Sequence, residues 1–449
     1  MFGAPRIPRL PFSLLLALGA FGRAPAAESP MAFAPPSLLP AERVMLGIDV
    51  LEEQGFGALR GKRLGLLTHR AGVDGRGVST VDILRGAPGL HLVALFATEN
   101  GISGTVTSGK IFNDQVDPRT GLMVYSLYNG RTHQPTAAQL KGIDALVVDL
   151  QDIGTRSYTF TGAMKQAMEG CFLNHVEIIV LDRPNPLGGL KVDGPIPDPQ
   201  WLGPNLVNEF PVPYVHGLTI GELARLAKDQ PGVLRIPEAA RLAGRLTVIP
   251  MRGWRRDMRW PETGLTWVPT SPYIPDFSAV VGYPMTGLGS FMGDTPNLGG
   301  FRSGVGSDYP FRGISNKYLK SETLEAVLDG LHLPGLGFRR VSVPDAKTGK
   351  PATGLFIEVT DWDAWQPAEL NFYLMKLDCK FSPRNPFAAA PPLVANGFLK
   401  HMGSNALFKD LVAHGANVDI VTYLRDWRAK AKLFQEQSRR FWLYPWAGP

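Results

Sequence analysis

Three groups of polar side chains follow apolar runs of the sequence, and each group contains residues that can carry charge or move protons. The runs are residues 92–96, 145–148 and 176–181. The polar residues that follow them are, in chain order, Glu99, Asn100, Asp149, Gln151, Asp152, Arg156, Tyr158, Asp182, Arg183 and Asn185. Carboxylates among them can act as general acids or bases, and the arginines can bind anions through paired hydrogen bonds.

Glu99 is the leading candidate for a catalytic carboxylate. It comes just after an apolar run and just before Gly101 and Gly104, which allow a ligand to approach the backbone closely. Hydrolysis of a glycosidic bond usually needs a second carboxylate, about 5–5.5 Å away for retention and about 6.5–9.5 Å away for inversion. Asp152 and Asp149 are the candidates, and the sequence leaves their separation open. The competing interpretation is a surface glutamate that caps a turn.

The remaining polar residues are predicted to bind substrate. Arg156 and Arg183 suit a substrate carboxylate, and they suit equally well an internal ion pair with Asp152 or Asp182. His216 precedes a helical segment and can either contact a sugar hydroxyl or hold the fold together. The predicted binding residues are Asn100, Gln151, Arg156, Tyr158, Asp182, Arg183, Asn185 and His216.

The elements that position these residues alternate between buried strands and helices. This alternation predicts an α/β fold with a parallel sheet and right-handed crossovers. The carboxyl ends of parallel strands share one edge of the sheet, so the three groups are expected to meet in one crevice. No G-x-G-x-x-G or P-loop pattern occurs, and we predict that the protein needs no cofactor.

The chain of 449 residues is long enough for several domains. We expect a signal peptide at 1–27, a linker at 28–42, a catalytic α/β domain at 43–235, a connecting segment that forms part of the cleft at 236–310, and a smaller α+β domain at 311–449. The signal peptide is indicated by Arg6 and Arg9, an apolar core over residues 10–21, and small residues at 24–27. This pattern predicts a periplasmic or secreted protein.

Composition excludes several classes of protein. Removing residues 1–27 takes away three arginines and no carboxylate, which lowers the formal charge from +6 to about +3. No run of lysines and arginines indicates nucleic acid, and no later segment is apolar enough for a membrane span. Cys171 and Cys379 are interpreted as free thiols, with a disulfide as the alternative, and no Cys/His spacing predicts a metal site.

Several motifs together resemble a known family. They are Gly47-Ile-Asp-Val-Leu51, Gly61-Lys-Arg-Leu-Gly-Leu-Leu-Thr68, Leu95-Phe-Ala-Thr-Glu-Asn-Gly101, Asp149-Leu-Gln-Asp-Ile-Gly-Thr-Arg-Ser-Tyr-Thr159, Leu181-Asp-Arg-Pro-Asn-Pro-Leu-Gly-Gly189 and His216-Gly-Leu-Thr-Ile-Gly-Glu-Leu-Ala-Arg-Leu226. The chain resembles the DUF1343 group, the NamZ-type exo-β-N-acetylmuramidases of glycoside hydrolase family 171. The family's Glu-His-Gly motif corresponds to Glu99-Asn100-Gly101, with asparagine in place of histidine.

The resemblance implies a Rossmann-like catalytic domain, a smaller C-terminal domain and an active site in the cleft between them. It also implies release of terminal N-acetylmuramic acid from peptidoglycan fragments, with Glu99 as the catalytic glutamate. Two alternatives stay open at this point. One is a peptidoglycan-binding protein with weakened catalysis, and the other is a related glycosidase for a different sugar.

Overall fold

The computed structural model describes residues 43–288, 299–345 and 348–446. The predicted signal peptide and linker lie outside these ranges. The strands are β1 (Arg63–Thr68), β2 (His91–Ala97), β3 (Gln115–Val116), β4 (Met123–Ser126), β5 (Ala145–Asp149), β6 (Glu177–Leu181), β7 (Leu246–Ile249), β8 (Phe301–Ser303), β9 (Gly313–Asn316), β10 (Leu336–Pro344) and β11 (Pro351–Val359).

The helices alternate with the first strands and then dominate the end of the chain. They are α1 (Gly47–Glu53), α2 (Thr80–Gly86), α3 (Ala137–Leu140), α4 (Thr159–Leu173), α5 (Ile220–Asp229), α6 (Glu238–Ala243), α7 (Phe277–Thr286), α8 (Ser321–Asp329), α9 (Glu369–Phe381), α10 (Pro392–Met402), α11 (Asn405–His414) and α12 (Ile420–Ser438).

The first sheet has seven strands in the order β3-β4-β2-β1-β5-β6-β7. Every neighbouring pair is parallel except β3 and β4, which are antiparallel. All five residues of β5 are buried, as expected for a central strand covered on both faces. The predicted α/β fold with a parallel sheet is therefore confirmed.

The two faces of this sheet pack into different parts of the core. Leu66 and Val147 face the layer that contains α1 and α2, whereas Leu67 and Val148 belong to the core that holds α4 and α5. Successive strand residues therefore point to opposite faces. Fully burying each of these side chains contributes about 1.5–3 kcal/mol. Because both faces are covered, the polar residues that follow the strands gather at the edge of the sheet.

The second sheet is antiparallel, with the order β10-β11-β9-β8, and helices α8 to α12 accompany it. The smaller C-terminal α+β part is therefore confirmed. Strand β7 lies in the segment 236–310 and joins the first sheet. The predicted domain limits at residues 235 and 310 stay predictions.

The end of the chain returns to the first sheet. The hydroxyl of Tyr444 donates to Asp182, just beyond β6, and accepts a hydrogen bond from the backbone N–H of Met251 at 3.0 Å. The backbone N–H of Leu443 donates to Glu222 of α5 at 2.9 Å. These contacts attach the C-terminal segment to the strand that carries the third polar group.

Both cysteines are free thiols in the structure. Cys171 is buried in α4 and Cys379 lies partly buried in α9. Burial raises the pKa of both thiols, that of Cys379 to about 12. Across the described part of the chain, no helix is both long enough and apolar enough to cross a membrane.

Candidate active site

A cavity of about 550 Å³ opens between the first sheet and helix α10. Its walls include the loop after β2 with Glu99, the start of α4 with Ser157–Thr159, the segment Pro204–Val207, and Gly397, Lys400 and His401 of α10. The other lining residues are Tyr128, His133, Ser271, Tyr273, Ile274, Tyr283 and Phe311. Among the described residues that line it, Glu99 is the only carboxylate. The leading residue predicted from sequence therefore lies in the wall of this cavity.

Both carboxylate oxygens of Glu99 accept hydrogen bonds from neutral donors. The backbone N–H of Gly109 donates to Oε1 at 2.7 Å, and the hydroxyl of Thr159 donates to Oε2 at 2.9 Å. Thr159 is the first residue of α4, so the positive end of that helix also faces the carboxylate. These contacts hold the carboxylate in place at the wall of the cavity.

Three tyrosines surround this carboxylate and remain protonated. Burial, followed by the charge of Glu99, raises the pKa of Tyr128 to about 12. Burial raises the pKa of Tyr283 to about 12 as well, with Glu99 and Asp152 adding to the effect against a hydrogen bond with Ser157. The pKa of Tyr158 is also raised by burial, and its hydroxyl donates to Thr270 at 2.8 Å. Neutral phenols can donate hydrogen bonds to sugar oxygens.

Asp152 lies close enough to affect the same tyrosine, Tyr283, as Glu99 does. Its Oδ2 accepts from the N–H of Gly154 at 2.7 Å, and its buried Oδ1 has no hydrogen-bond partner. Nε2 of His216 stands 3.5 Å from Oδ2, while Nδ1 accepts from the N–H of Leu218 at 3.2 Å. The structure thus brings Asp152 and His216 together, and neither of them lines the cavity that contains Glu99.

Arg156 is buried and has no carboxylate partner among the described residues. Its guanidinium donates from Nη2 to the carbonyl of Pro195 at 3.4 Å, and within the described residues Nε and Nη1 have no hydrogen-bond partner. The guanidinium also lies 5.7 Å from the ring of Tyr214. Burial lowers the pKa of Arg156 to about 9, so the group still carries its charge at neutral pH. It does not itself line the cavity.

Asn100 lines the cavity, and its side chain makes hydrogen bonds within the loop that follows β2. Its amide donates to the carbonyl of Val106 at 2.8 Å and to the hydroxyl of Ser108 at 3.1 Å. The backbone of Asn100 has a φ of 70°, a conformation that asparagine tolerates better than most residues. The residue therefore shapes the loop whose Gly109 N–H binds Glu99.

Asp149, the other carboxylate proposed for catalysis, is fully buried in an ion pair. It accepts from Arg183 Nε at 2.5 Å and Nη2 at 2.9 Å, and from the hydroxyl of Thr80 at 2.5 Å. Arg183 also donates to the carbonyl of Val73. The two residues end up together because β5 and β6 are neighbours in the sheet. Neither lines the cavity that contains Glu99.

Asp182 and Asn185 also support the fold outside that cavity. Asp182 accepts from the hydroxyls of Thr219 and Tyr444 and from the N–H of Gly221. Burial raises its pKa to about 7 against these hydrogen bonds. Asn185 donates to the carbonyl of Leu218 at 3.0 Å and fixes the local turn. Both residues therefore connect β6 to the start of α5.

Gln151 lies in a second, smaller cavity of about 210 Å³, which Arg183 also lines. Its side-chain amide donates to the carbonyls of Asp152 and Pro184, and its N–H donates to Nε2 of His69 at 3.0 Å. Burial lowers the pKa of His69 to about 3, which keeps that ring neutral. Gln151 and Arg183 are thus separated from the cavity that contains Glu99.

Sequence reasoning missed three cavity residues that carry basic groups: His133, Lys400 and His401. His133 follows β4, and the other two lie in the last turn of α10. Basic residues are common at the end of a helix, so their spacing gave no separate signal. Within the described ranges, no three side chains of His, Cys, Asp or Glu gather as metal ligands would.

The chain matches two family models that together span most of its length. Residues 64–278 match the model for the N-terminal part of exo-β-N-acetylmuramidase NamZ, and residues 281–444 match the model for its C-terminal part. The chain is also 33% identical over 405 residues to the peptidoglycan β-N-acetylmuramidase NamZ of Bacillus subtilis, covering 90% of this chain and 92% of that protein.

Two crystal structures of DUF1343 family proteins from Bacteroides fragilis have similar folds. One has a TM-score of 0.77 and 36% sequence identity, over 90% of this chain and 100% of its own. The other has a TM-score of 0.64 and 25% identity, over 89% of this chain and 99% of its own.

Proposed function

The chain belongs to the NamZ family of exo-β-N-acetylmuramidases, and we propose that Glu99 is the principal catalytic carboxylate with which it releases terminal N-acetylmuramic acid from peptidoglycan fragments. The protein is accordingly a glycoside hydrolase. The proposal concerns the residues that act and the place where the sugar binds.

The observation that carries this assignment is the setting of Glu99. It is the only carboxylate among the described residues of the large cavity, and its partners are neutral donors instead of a buried cation. Its charge is therefore available to a ligand. A cavity of about 550 Å³ also has the size typical of small-molecule sites.

In this mechanism the carboxylate of Glu99 stabilises positive charge that develops at the anomeric carbon as its bond to the departing sugar oxygen breaks. Water adds its hydroxyl to the anomeric carbon, and the departing oxygen takes up a proton, so the net reaction is hydrolysis. The transition state is oxocarbenium-like, and a carboxylate held beside it lowers the barrier. The two hydrogen bonds to Glu99 fix its position before the sugar binds, so little reorganisation is needed. The hydroxyls of Tyr128 and Tyr283 donate hydrogen bonds to sugar oxygens.

Asp152 is assigned the assisting role. It has an unpartnered buried oxygen and stands near Tyr283, whereas Asp149 is occupied by Arg183. Asp152 does not itself line the cavity, and its negative charge adds from nearby to the stabilisation provided by Glu99. The N–H of Gly154 orients this carboxylate through Oδ2 at 2.7 Å, and Nε2 of His216 stands 3.5 Å away.

The test is turnover of chromogenic β-N-acetylmuramide beside a panel of other sugars, including β-N-acetylglucosaminide. The wild type is expected to prefer the muramide, and Glu99→Gln is expected to lose turnover while it still binds the sugar. If the wild type prefers another sugar, that sugar replaces N-acetylmuramic acid as the proposed substrate. Tight binding of muropeptides without turnover by the wild type would instead indicate a binding protein.

Export of the protein is a separate part of the proposal. It is supported by the basic residues, apolar core and small residues within positions 1–27. Fractionation of expressing cells, followed by N-terminal sequencing, should find the mature chain outside the cytoplasm with its new end near residue 28. Recovery of the uncleaved chain in the cytoplasm would refute export.

A further inference from the structure

The charges that line the large cavity are separated between its two sides. Glu99 stands on the side of the first sheet, and Lys400 and His401 stand on helix α10. Lys400 is the only lysine or arginine among the described residues that line this cavity. It is exposed, and no described carboxylate pairs with its ammonium group. A cation without a carboxylate partner among the described residues is therefore available in the same cavity as Glu99.

A second cation without a carboxylate partner among the described residues lies close enough to act on α10. Arg156 is buried, and the two nitrogens Nε and Nη1 have no hydrogen-bond partner. Its charge reaches the cavity: burial lowers the pKa of His401, and Arg156 and Lys400 lower it further against a hydrogen bond to Gly397. Nδ1 of His401 contacts the carbonyl of Gly397 at 2.9 Å. The α10 side of the cavity is therefore electrically positive.

The position of Lys400 is well defined by its backbone contacts. The side-chain amide of Asn208 donates to the carbonyl of Lys400, and the N–H of Asp198 donates to the carbonyl of Gly403 at 2.7 Å. The segment 204–207, just before Asn208, lines the same cavity. These bonds fasten the end of α10 to the catalytic side, so the cation is held where a bound sugar would meet it.

We propose that Lys400 binds the carboxylate of the lactyl group that distinguishes N-acetylmuramic acid from N-acetylglucosamine, and so determines the specificity of the enzyme. This inference rests on the proposed function. Of the two arginines suggested by the sequence, Arg183 is occupied by Asp149 and Arg156 is shielded from the cavity. Lys400 makes the direct contact, and Arg156 strengthens the positive potential from behind.

The experiment compares Lys400→Met and Lys400→Arg on three chromogenic substrates. These are β-N-acetylmuramide, the same muramide with its lactyl carboxylate converted to an amide, and β-N-acetylglucosaminide. Lys400→Met should raise KM for the acidic muramide on the order of 10–100-fold, the effect of losing one charge-assisted hydrogen bond. It should leave the two uncharged substrates nearly unchanged, and Lys400→Arg should restore much of the loss.

Lys409→Met is the matched control, because it removes the same charge from an exposed position of α11 that does not line the cavity. It should leave KM unchanged for all three substrates. The proposal would be overturned if Lys400→Met raised KM equally for all three substrates, or raised it for none of them. If the wild type does not cleave the muramide at all, the proposed function fails. Calorimetric binding of N-acetylmuramic acid against N-acetylglucosamine still tests Lys400 in that case.

The pKa of His401 gives a second measurement, by NMR of the histidine ring. Bound N-acetylmuramic acid should raise it, because the carboxylate offsets the charges of Lys400 and Arg156. Bound N-acetylglucosamine should leave the pKa of His401 unchanged. In the protein without sugar, Lys400→Met should raise this pKa, because it removes a positive charge. The same upward shift with both sugars would contradict a role for the lactyl carboxylate.

Discussion

Glu99 and Asp149 occupy comparable places in one sheet and have opposite surroundings. Asp149 ends β5 and is enclosed by Arg183 and Thr80, whereas Glu99 follows β2 and receives only neutral donors at the wall of a cavity. Asp149 faces an arginine from the neighbouring strand end, and Glu99 does not. In this sheet, the strand-end carboxylate that can act on a ligand is therefore the one to which no neighbouring element supplies a cation.

The largest expected effect is the loss of activity in Glu99→Gln. Removing the charge should lower kcat about 10²–10⁴-fold, since the amide cannot replace the carboxylate in acid–base or electrostatic catalysis. The free energy of unfolding should change little, because the amide oxygen can still accept one of the two hydrogen bonds. Steady-state kinetics and urea unfolding measure the two quantities. If Glu99→Gln is strongly destabilised but still active, Glu99 supports the fold and does not act in catalysis.

Asp149→Asn should have the opposite profile. Breaking a buried ion pair leaves Arg183 without compensation and costs about 3–5 kcal/mol of stability. The surviving folded fraction should keep a nearly normal kcat, because Asp149 does not line the cavity. Urea unfolding and kinetics on the same preparation test this. A matched control is Asp257→Asn, which breaks an exposed pair with Arg255. A loss of kcat that exceeds the loss of folded protein would assign Asp149 to catalysis.

Asp182, a third carboxylate at a strand end of the same sheet, is expected to make the free energy of unfolding depend on pH. Its pKa is about 7 in the folded protein and about 4 when unfolded, so the folded state holds a proton that the unfolded state releases between these values. The stability contributed by this group is present below pH 4 and is lost as pH rises to about 7. Asp182→Asn should remove this dependence, so its deficit in unfolding free energy relative to wild type should shrink by on the order of 4 kcal/mol from pH 4 to pH 7.5. Urea unfolding at several pH values would detect it. A constant deficit would contradict the assignment.

The smallest effect is expected from Asn100→Gly. Glycine accepts the positive φ of this position, so the substitution removes mainly the two amide hydrogen bonds, at a cost of about 1–2 kcal/mol. Because these bonds shape the loop that supplies Gly109 to Glu99, kcat should fall less than in Glu99→Gln. Thermal unfolding and kinetics measure both. A loss of kcat as large as that of Glu99→Gln would give Asn100 a direct role in catalysis.

The sequence predicted the parallel sheet because its strands are continuous apolar runs, such as residues 145–148, that can only be buried on both faces. It also placed Glu99, Asn100 and Tyr158 near one crevice, since strand ends of a parallel sheet share an edge. It left open whether Arg183 pairs inside the protein, because that choice depends on which strands are neighbours. The sequence did not predict Lys400 for a related reason. This residue lies about 300 positions after Glu99, and only the packing of α10 brings it to the cavity.

The attachment of Tyr444 to the first sheet has a consequence for motion. The chain leaves that sheet after β7, builds the second part of the molecule, and is fastened again beside β6 and β7. The second part of the molecule is thus joined to the first sheet at two places. Any movement of the wall that carries Lys400 relative to the wall that carries Glu99 has to bend the chain at both of them.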